Sequence, residues 1–261
     1  MRAFRIAAWL LVASTHAWAQ PPATDIPLAE RRSGYEQMKR ETRAMQDDDT
    51  SNPATFWVLE GESAWKRKTG AANRACSECH GDAAVSMKGV AARYPAHDAK
   101  SGRVINLEQR INACRIERQQ AKPLAYESRE LLALTTYVAR QSRGLPIAVA
   151  PDQKTRPHLD AGRATYHRKI GQIDLSCAQC HDQHAGRHLA GNPIPQAHPT
   201  GYPIYRLEWQ GVGSLQRRLR NCMSGLRAEP YEYGSQELVD LEYYLMWRAR
   251  GMQVETPAVR P

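Results

Sequence analysis

Cys177-Ala178-Gln179-Cys180-His181 is a Cys-x-x-Cys-His sequence, and the same pattern stands at Cys76-Ser77-Glu78-Cys79-His80. This is the attachment sequence for c-type haem. The two thiols add across the haem vinyl groups, and the adjacent histidine becomes the proximal iron ligand. Two motifs in register predict two covalently attached haems. Cys76, Cys79, Cys177 and Cys180 are the attachment residues, and His80 and His181 the first iron ligands. A zinc site or redox disulfide with an accidental histidine fits poorly, since neither zinc-ligand spacing nor a thioredoxin-like βαβ pattern surrounds either motif.

Working outward, each motif sits inside a longer repeat. Gly61-Glu-Ser-Ala-Trp-Lys-Arg-Lys-Thr-Gly70 precedes the first, and Gly162-Arg-Ala-Thr-Tyr-His-Arg-Lys-Ile-Gly171 precedes the second at the same spacing. Trp65 matches Tyr166. Downstream, Leu107-Glu-Gln-Arg110-Ile-Asn-Ala-Cys114 pairs with Leu215-Gln-Arg-Arg218-Leu-Arg-Asn-Cys222. The segments from Ser128 and Ser235 both read as amphipathic helices. Leu131, Leu134 and Val138 share one face, as do Leu238, Leu241 and Leu245. A serine and a glutamate open each, and Gly144 or Gly251 follows its end.

The spacing therefore predicts a mainly α chain of two tandem cytochrome c-like haem domains related by internal duplication. Between motif and second helix the Gly- and Pro-rich stretches 89–102 and 186–213 read as irregular loops. The expected divisions are a signal peptide at 1–19, an N-terminal extension at 20–56, a first haem domain at 57–147, a linker at 148–157 and a second haem domain at 158–261. The extension belongs to neither repeat. Its Asp47-Asp48-Asp49 run reads as a solvated turn.

The start is that of an exported protein. Arg2 and Arg5 precede a short apolar run, Ile6 to Ala13, and Ala17-Trp18-Ala19 reads as a cleavage site. That run is too short to span a bilayer, and no later stretch is apolar enough. The expected address is the periplasm, where haem thioethers are made. The net charge of +9 falls to about +7 without the signal. A basic exported chain attracts anions or an acidic partner. No polybasic run or aromatic platform supports nucleic-acid binding.

Six cysteines less four leaves Cys114 and Cys222. They are repeat-equivalent, and helical spacing turns each inward with Leu107 and Ile111, or with Leu215 and Leu219. Three readings stay open. The two are disulfide-bonded to each other, or are buried free thiols, or each ligates the iron of its own unit. Met87 and Met223 are not repeat-equivalent. His97 and His198 are rough counterparts and the main rival ligands. Arg218 precedes Cys222 by one helical turn, where a guanidinium favours the thiolate and can hold an anion against it. Arg110 stands in the same relation to Cys114, as an arginine pairing with haem carboxylates would.

These residues resemble a known family. The two Cys-x-x-Cys-His motifs, Arg110-Ile-Asn-Ala-Cys114 and Leu219-Arg-Asn-Cys222-Met-Ser-Gly-Leu-Arg-Ala-Glu-Pro230 look like the dihaem SoxA subunit of SoxAX cytochromes. The likeness runs over nearly all of the mature chain, including Gln46-Asp-Asp-Asp and Asn52-Pro53. It implies an enzyme of thiosulfate oxidation, an L-cysteine S-thiosulfotransferase, that pairs with a small monohaem SoxX cytochrome. Thiosulfate would be coupled to a cysteine of the carrier protein SoxYZ, and two electrons would leave for a cytochrome c acceptor. By position, His181 and Cys222 would ligate the active-site haem, with Cys222 catalytic as thiolate or persulfide. His80 and Cys114 would ligate the other haem, and Arg218 would bind the substrate anion. The rival reading is a dihaem electron carrier with no catalysis of its own.

Overall fold

The computed structural model describes residues 26–261. The expected signal segment lies outside the described residues. An arm carries α1 (Arg40–Asp47). The first unit runs α2 (Thr55–Lys66), α3 (Cys76–His80), α4 (Ala83–Ser86), β1 (Ala96–Asp98), β2 (Arg103–Ile105), α5 (Leu107–Cys114) and α6 (Arg129–Arg140). The second runs α7 (Arg156–His167), α8 (Cys177–His181), β3 (His188–Leu189), β4 (Asn192–Pro193), β5 (Ile204–Arg206), β6 (Gly211–Gly213), α9 (Leu215–Gly225) and α10 (Gln236–Arg248), with β7 (Ala258–Arg260) after it. Two helical units built on one plan are what the repeat predicts.

Local chemistry places the helix starts. Asn106 caps α5, accepting from the Gln109 N–H while the Gln109 side chain accepts from the Asn106 N–H. Ser128, Ser214 and Ser235 cap α6, α9 and α10 through their hydroxyl oxygens. Each cap satisfies an amide that the first helical turn leaves without a partner. Gly144 and Gly251 follow α6 and α10 with positive φ, as the repeat anticipates.

The packing of α2 on α6 and of α7 on α10 forms the body of each unit. Both contacts depend on the first glycine of the repeated stretch. A Cβ at Gly61 would lie 2.1 Å from the Ala133 carbonyl oxygen, and one at Gly162 would lie 2.0 Å from that of Asp240. The helices therefore meet backbone to backbone. Gly162→Ala gains about 1 kcal/mol of helix propensity, but overpacking costs about 1–3 kcal/mol, at the high end where backbone must shift. The expected net loss is about 2 kcal/mol, seen as a Tm lowered by about 4–8 °C for a chain of this size. An unchanged Tm would mean that α7 and α10 are not this close.

Leu131, Leu134 and Val138 of α6 are buried, and so are Leu238, Leu241 and Leu245 of α10. The single apolar face expected for α10 is too narrow, however. Val239, Asp240, Glu242, Tyr243 and Tyr244 are buried as well, because α10 packs on α7 and also on the first unit. Asn106 Nδ2 donates to Glu242 Oε2 at 3.1 Å, and Gln236 Nε2 donates to the Val104 carbonyl at 3.2 Å. Val104, Ile147 and Val149 belong to the same buried cluster as the α10 leucines.

Ile147 and Val149 flank the join between the units. The Ile147 N–H donates to the Met252 carbonyl at 2.8 Å, and Pro157 already lies in the first turn of α7. The loop stretches expected to be irregular hold short hairpins. β1 pairs antiparallel with β2, and β5 with β6, and β7 adds to β5 in parallel. Backbone passing over a core needs partners for its amides and carbonyls, and these ladders supply them. The arm lies on both units. The Gln46 side chain accepts from the Val259 N–H, and Asn52 Nδ2 donates to the Pro257 carbonyl. The run expected to be a solvated turn is a tether on one side, since Asp49 pairs with Arg140 and Arg143 of the first unit.

Candidate functional site

Each Cys-x-x-Cys-His segment forms one short helix, α3 or α8, which sets its two thiols and its imidazole around a single turn. Ser176 caps α8 with the Gln179 side chain returning the bond. The aromatic residue noted in each repeat fixes the far end. Trp65 Nε1 donates to the Gly81 carbonyl at 3.1 Å, and the Tyr166 hydroxyl donates to Asp182 at 2.9 Å. These partners are the residues next after His80 and His181. Buried Arg248 adds a 2.6 Å ion pair to Asp182.

In the first unit α3 and α5 enclose a cavity of about 250 Å³. Cys76, Cys79 and His80 line it from α3, and Arg110, Ile111 and Cys114 from α5. Trp65, Val90, Leu134 and Val138 add apolar wall, and Arg74, Arg115 and Arg118 bring positive charge. An apolar slot with thiols and an imidazole on one side, a further thiol on the other and cations at hand fits an iron porphyrin with two carboxylates. Met87 lines it too. His97 is not among the lining residues. It stands in β1 opposite Val104, and the residue that shares its place in the second unit is Tyr205, opposite Val212. His198 is therefore not its counterpart. It is buried, bonded through Nδ1 to the Arg32 carbonyl, and pushed down to about 4 by burial.

The second unit brings His181 and Cys222 together. The His181 Nδ1–H donates to the Pro195 carbonyl at 2.7 Å. A carbonyl only accepts, so this bond fixes the tautomer and leaves a lone pair on Nε2, the form in which imidazole binds a metal. Cys222, on α9, lies close enough to the same ring to feel it. Burial would raise its pKa, but the influence of neighbouring His181 and the charges of Arg218 and Arg206 outweigh it, and the net direction is down. Cys114 moves the other way, because burial dominates and Arg110 compensates too little. Cys177 is pushed up to about 12, chiefly by burial and then by the nearby Cys222. All six cysteines are unbridged, so Cys114 and Cys222 are not joined.

The two arginines one turn before these thiols are also unlike. Arg110 donates to Asp98 at 2.7 Å and to the Tyr94 hydroxyl at 3.1 Å. Arg218 has no carboxylate partner among the described residues, and the sulfur of Cys222 is the main influence holding its charge against burial. A reactive thiol beside an uncompensated guanidinium can collect a small anion and act on it. The Pro195 carbonyl, Asp182, Arg248 and Arg206 were not legible as parts of this site. Only Arg206 leaves a trace in the repeat, through the Tyr-Pro pairs at Tyr94 and Tyr202 that align the strands.

Comparison with known proteins agrees with this plan. A family model described as "SoxA/TsdA, cytochrome c domain" matches residues 60–147 and again 161–254. The L-cysteine S-thiosulfotransferase subunit SoxA of Pseudaminobacter salicylatoxidans is 37% identical over 90% of this chain and 82% of its own length. That of Rhodovulum sulfidophilum is 36% identical over 88% and 80%. The crystal structure of SoxXA from P. pantotrophus superposes with a TM-score of 0.86 at 31% identity, covering 88% of this chain and 87% of its own. Matched through both of its repeated units, and similar to these relatives over most of its length, the chain belongs to the SoxA/TsdA cytochrome c family.

Proposed function

We propose that this chain is the SoxA-type subunit of a periplasmic enzyme that couples thiosulfate oxidatively to a cysteine of a SoxYZ-type carrier. The observation that carries this reading is Cys222, set beside His181 and one turn from Arg218, which has no carboxylate partner among the described residues. The SoxA names of its relatives support it, as does the SoxXA assembly of the structural neighbour.

Two c-type haems would be held, one through Cys76 and Cys79 with His80 and Cys114, the other through Cys177 and Cys180 with His181 and Cys222. Haem, when bound, would supply a one-electron acceptor and a route onward to a cytochrome c. The chain's own residues do the rest. Arg218 binds the dianion and turns its sulfane sulfur to Cys222. The Cys222 thiolate bonds to that sulfur, giving Cys222–S–S–SO₃⁻ as two electrons leave. A carrier thiolate then attacks the sulfane sulfur, yielding carrier–S–S–SO₃⁻ and restoring the Cys222 thiolate. A SoxX-like monohaem cytochrome is the expected partner subunit. The cleaved signal at 1–19, the extension at 20–56, the linker at 148–157 and domains 57–147 and 158–261 belong to the same reading. No helix among the described residues is long and apolar enough to cross a membrane.

The test is the intact mass of the carrier after incubation with the haem-loaded heterodimer, thiosulfate and oxidised cytochrome c. The expected result is a mass gain of one S₂O₃ unit on the carrier cysteine, with two equivalents of cytochrome c reduced. A carrier that stays unmodified while the haems still cycle would leave the electron-carrier reading.

A further inference from the structure

The two units differ most sharply at one register position. Tyr94-Pro95 leads into β1, and Tyr202-Pro203 leads into β5. Asp98 ends β1 opposite Arg103, and Arg206 ends β5 opposite Gly211. Asp98 and Arg206 thus occupy equivalent places, just as Arg110 and Arg218 do on α5 and α9. In the first unit Asp98 neutralises Arg110 at 2.7 Å, and hydrogen bonds from Ser101 and then from Arg110 hold its carboxyl well below the usual range. In the second, the carboxylate is replaced by a second guanidinium. The charge at this position is inverted.

Arg206 is not a surface residue. Its side chain is only 14% exposed. Burial and then repulsion from Arg218 pull its pKa below the ordinary arginine value, and the Cys222 sulfur acts back on it. Its strand position is the one from which Asp98 reaches Arg110 in the first unit, and the Tyr202 phenol feels Arg218, Arg206 and Cys222 together. The local counter-charge is thin. Glu208 approaches Arg206 at 3.0 Å but is itself 50% exposed, and Arg217, stacked on Trp209 like Arg206, has Glu127 at 3.9 Å. Two half-buried like charges repel at a cost, and a ligand of opposite charge relieves it.

We propose that Arg206 and Arg218 form a paired-guanidinium site for a doubly charged sulfur oxyanion at Cys222, with Arg206 as its specificity-determining second cation. The same charge inversion explains why the first unit, with its own thiol and arginine, offers no such site. This assignment rests on the thiosulfate reading above. Arg218, one turn from Cys222, serves the reacting end of the anion, and Arg206, reaching from the strand, holds its remaining charge.

The experiment uses the haem-loaded heterodimer carrying R206Q, R206K or R206D, the last restoring the carboxylate of the first unit. In steady state, the apparent KM for thiosulfate should rise about tenfold in R206Q and about a hundredfold in R206D. R206K should recover most of the loss, kcat should stay within about threefold and the haem absorption should not change. Equilibrium binding of thiosulfate to the reduced heterodimer, with neither carrier nor acceptor present, should weaken in the same order. That arm needs no turnover. If wild type binds thiosulfate and R206Q binds it tenfold more weakly, the site stands even where no carrier coupling is observed. If R206Q binds as wild type does, or R206K is no better than R206Q, the paired site is overturned while coupling by Cys222 is untouched.

Discussion

Cys222→Ala is expected to abolish thiosulfate coupling, cutting kcat/KM by about ten-thousandfold or more. Alanine offers no sulfur to bond with the incoming anion, and no neighbouring thiol can substitute. Cys177, near Cys222, is pushed up to about 12, and on the function proposed above it would be taken up by haem attachment. Loss of fold will not account for the result. Cys222 is only half-buried, and the next residue, Met223, is the one that fills the core. The absorption of the second haem should shift as well, because the partner that faces His181 is gone. Cys222→Ser sharpens the test, since it keeps the size and polarity of the side chain but lacks a sulfur nucleophile. It should be as inactive as the alanine variant. Full coupling by either variant would remove Cys222 from the chemistry. An unshifted spectrum with coupling lost would keep it as nucleophile and remove it as a ligand.

Much of the architecture was legible because it rests on local pattern. Cys-x-x-Cys-His names its cofactor, and the repeated glycines, serine caps and apolar spacing mark the same helices twice. Gly61 and Gly162 gain their meaning only in three dimensions, where backbone oxygens of α6 and α10 fill the space a Cβ would take. What periodicity could not give is the burial of α10 on several sides, since one helix carries no sign of a second body pressing on it. Asp49 illustrates the same limit, for its partners Arg140 and Arg143 lie some ninety residues away. Within the site, Cys222 and Arg218 were readable because they stand one turn apart on one helix. The Pro195 carbonyl was not, because any residue can offer a carbonyl and only the fold brings this one to His181. Equal spacing also implied equal pockets, and there the symmetry misleads. Arg110 and Arg218 match in sequence, yet among the described residues one has a carboxylate and the other has none.

That difference sets the second large effect. Arg218→Ala should lower kcat/KM for thiosulfate by about a hundredfold, mostly as a raised apparent KM, with the haem absorption kept. A guanidinium already paired with a carboxylate has little to give an incoming anion, because the anion must first displace its partner. Arg218 has no such carboxylate among the described residues, so its charge is open to the dianion. Lysine keeps the charge but loses the planar fork, so Arg218→Lys should fall between wild type and alanine. Salt offers an independent readout. Ionic strength screens the attraction, so the apparent KM of the wild type should climb with added salt, and that of Arg218→Ala should climb less steeply. Arg110→Ala is the matched control. Its guanidinium is spent on Asp98 and Tyr94, so the apparent KM for thiosulfate should stay where it is. Were the two variants to weaken thiosulfate equally, the lost affinity would come from net charge over the whole surface. Loss in Arg218→Ala alone would place it in the one pocket whose arginine has no carboxylate.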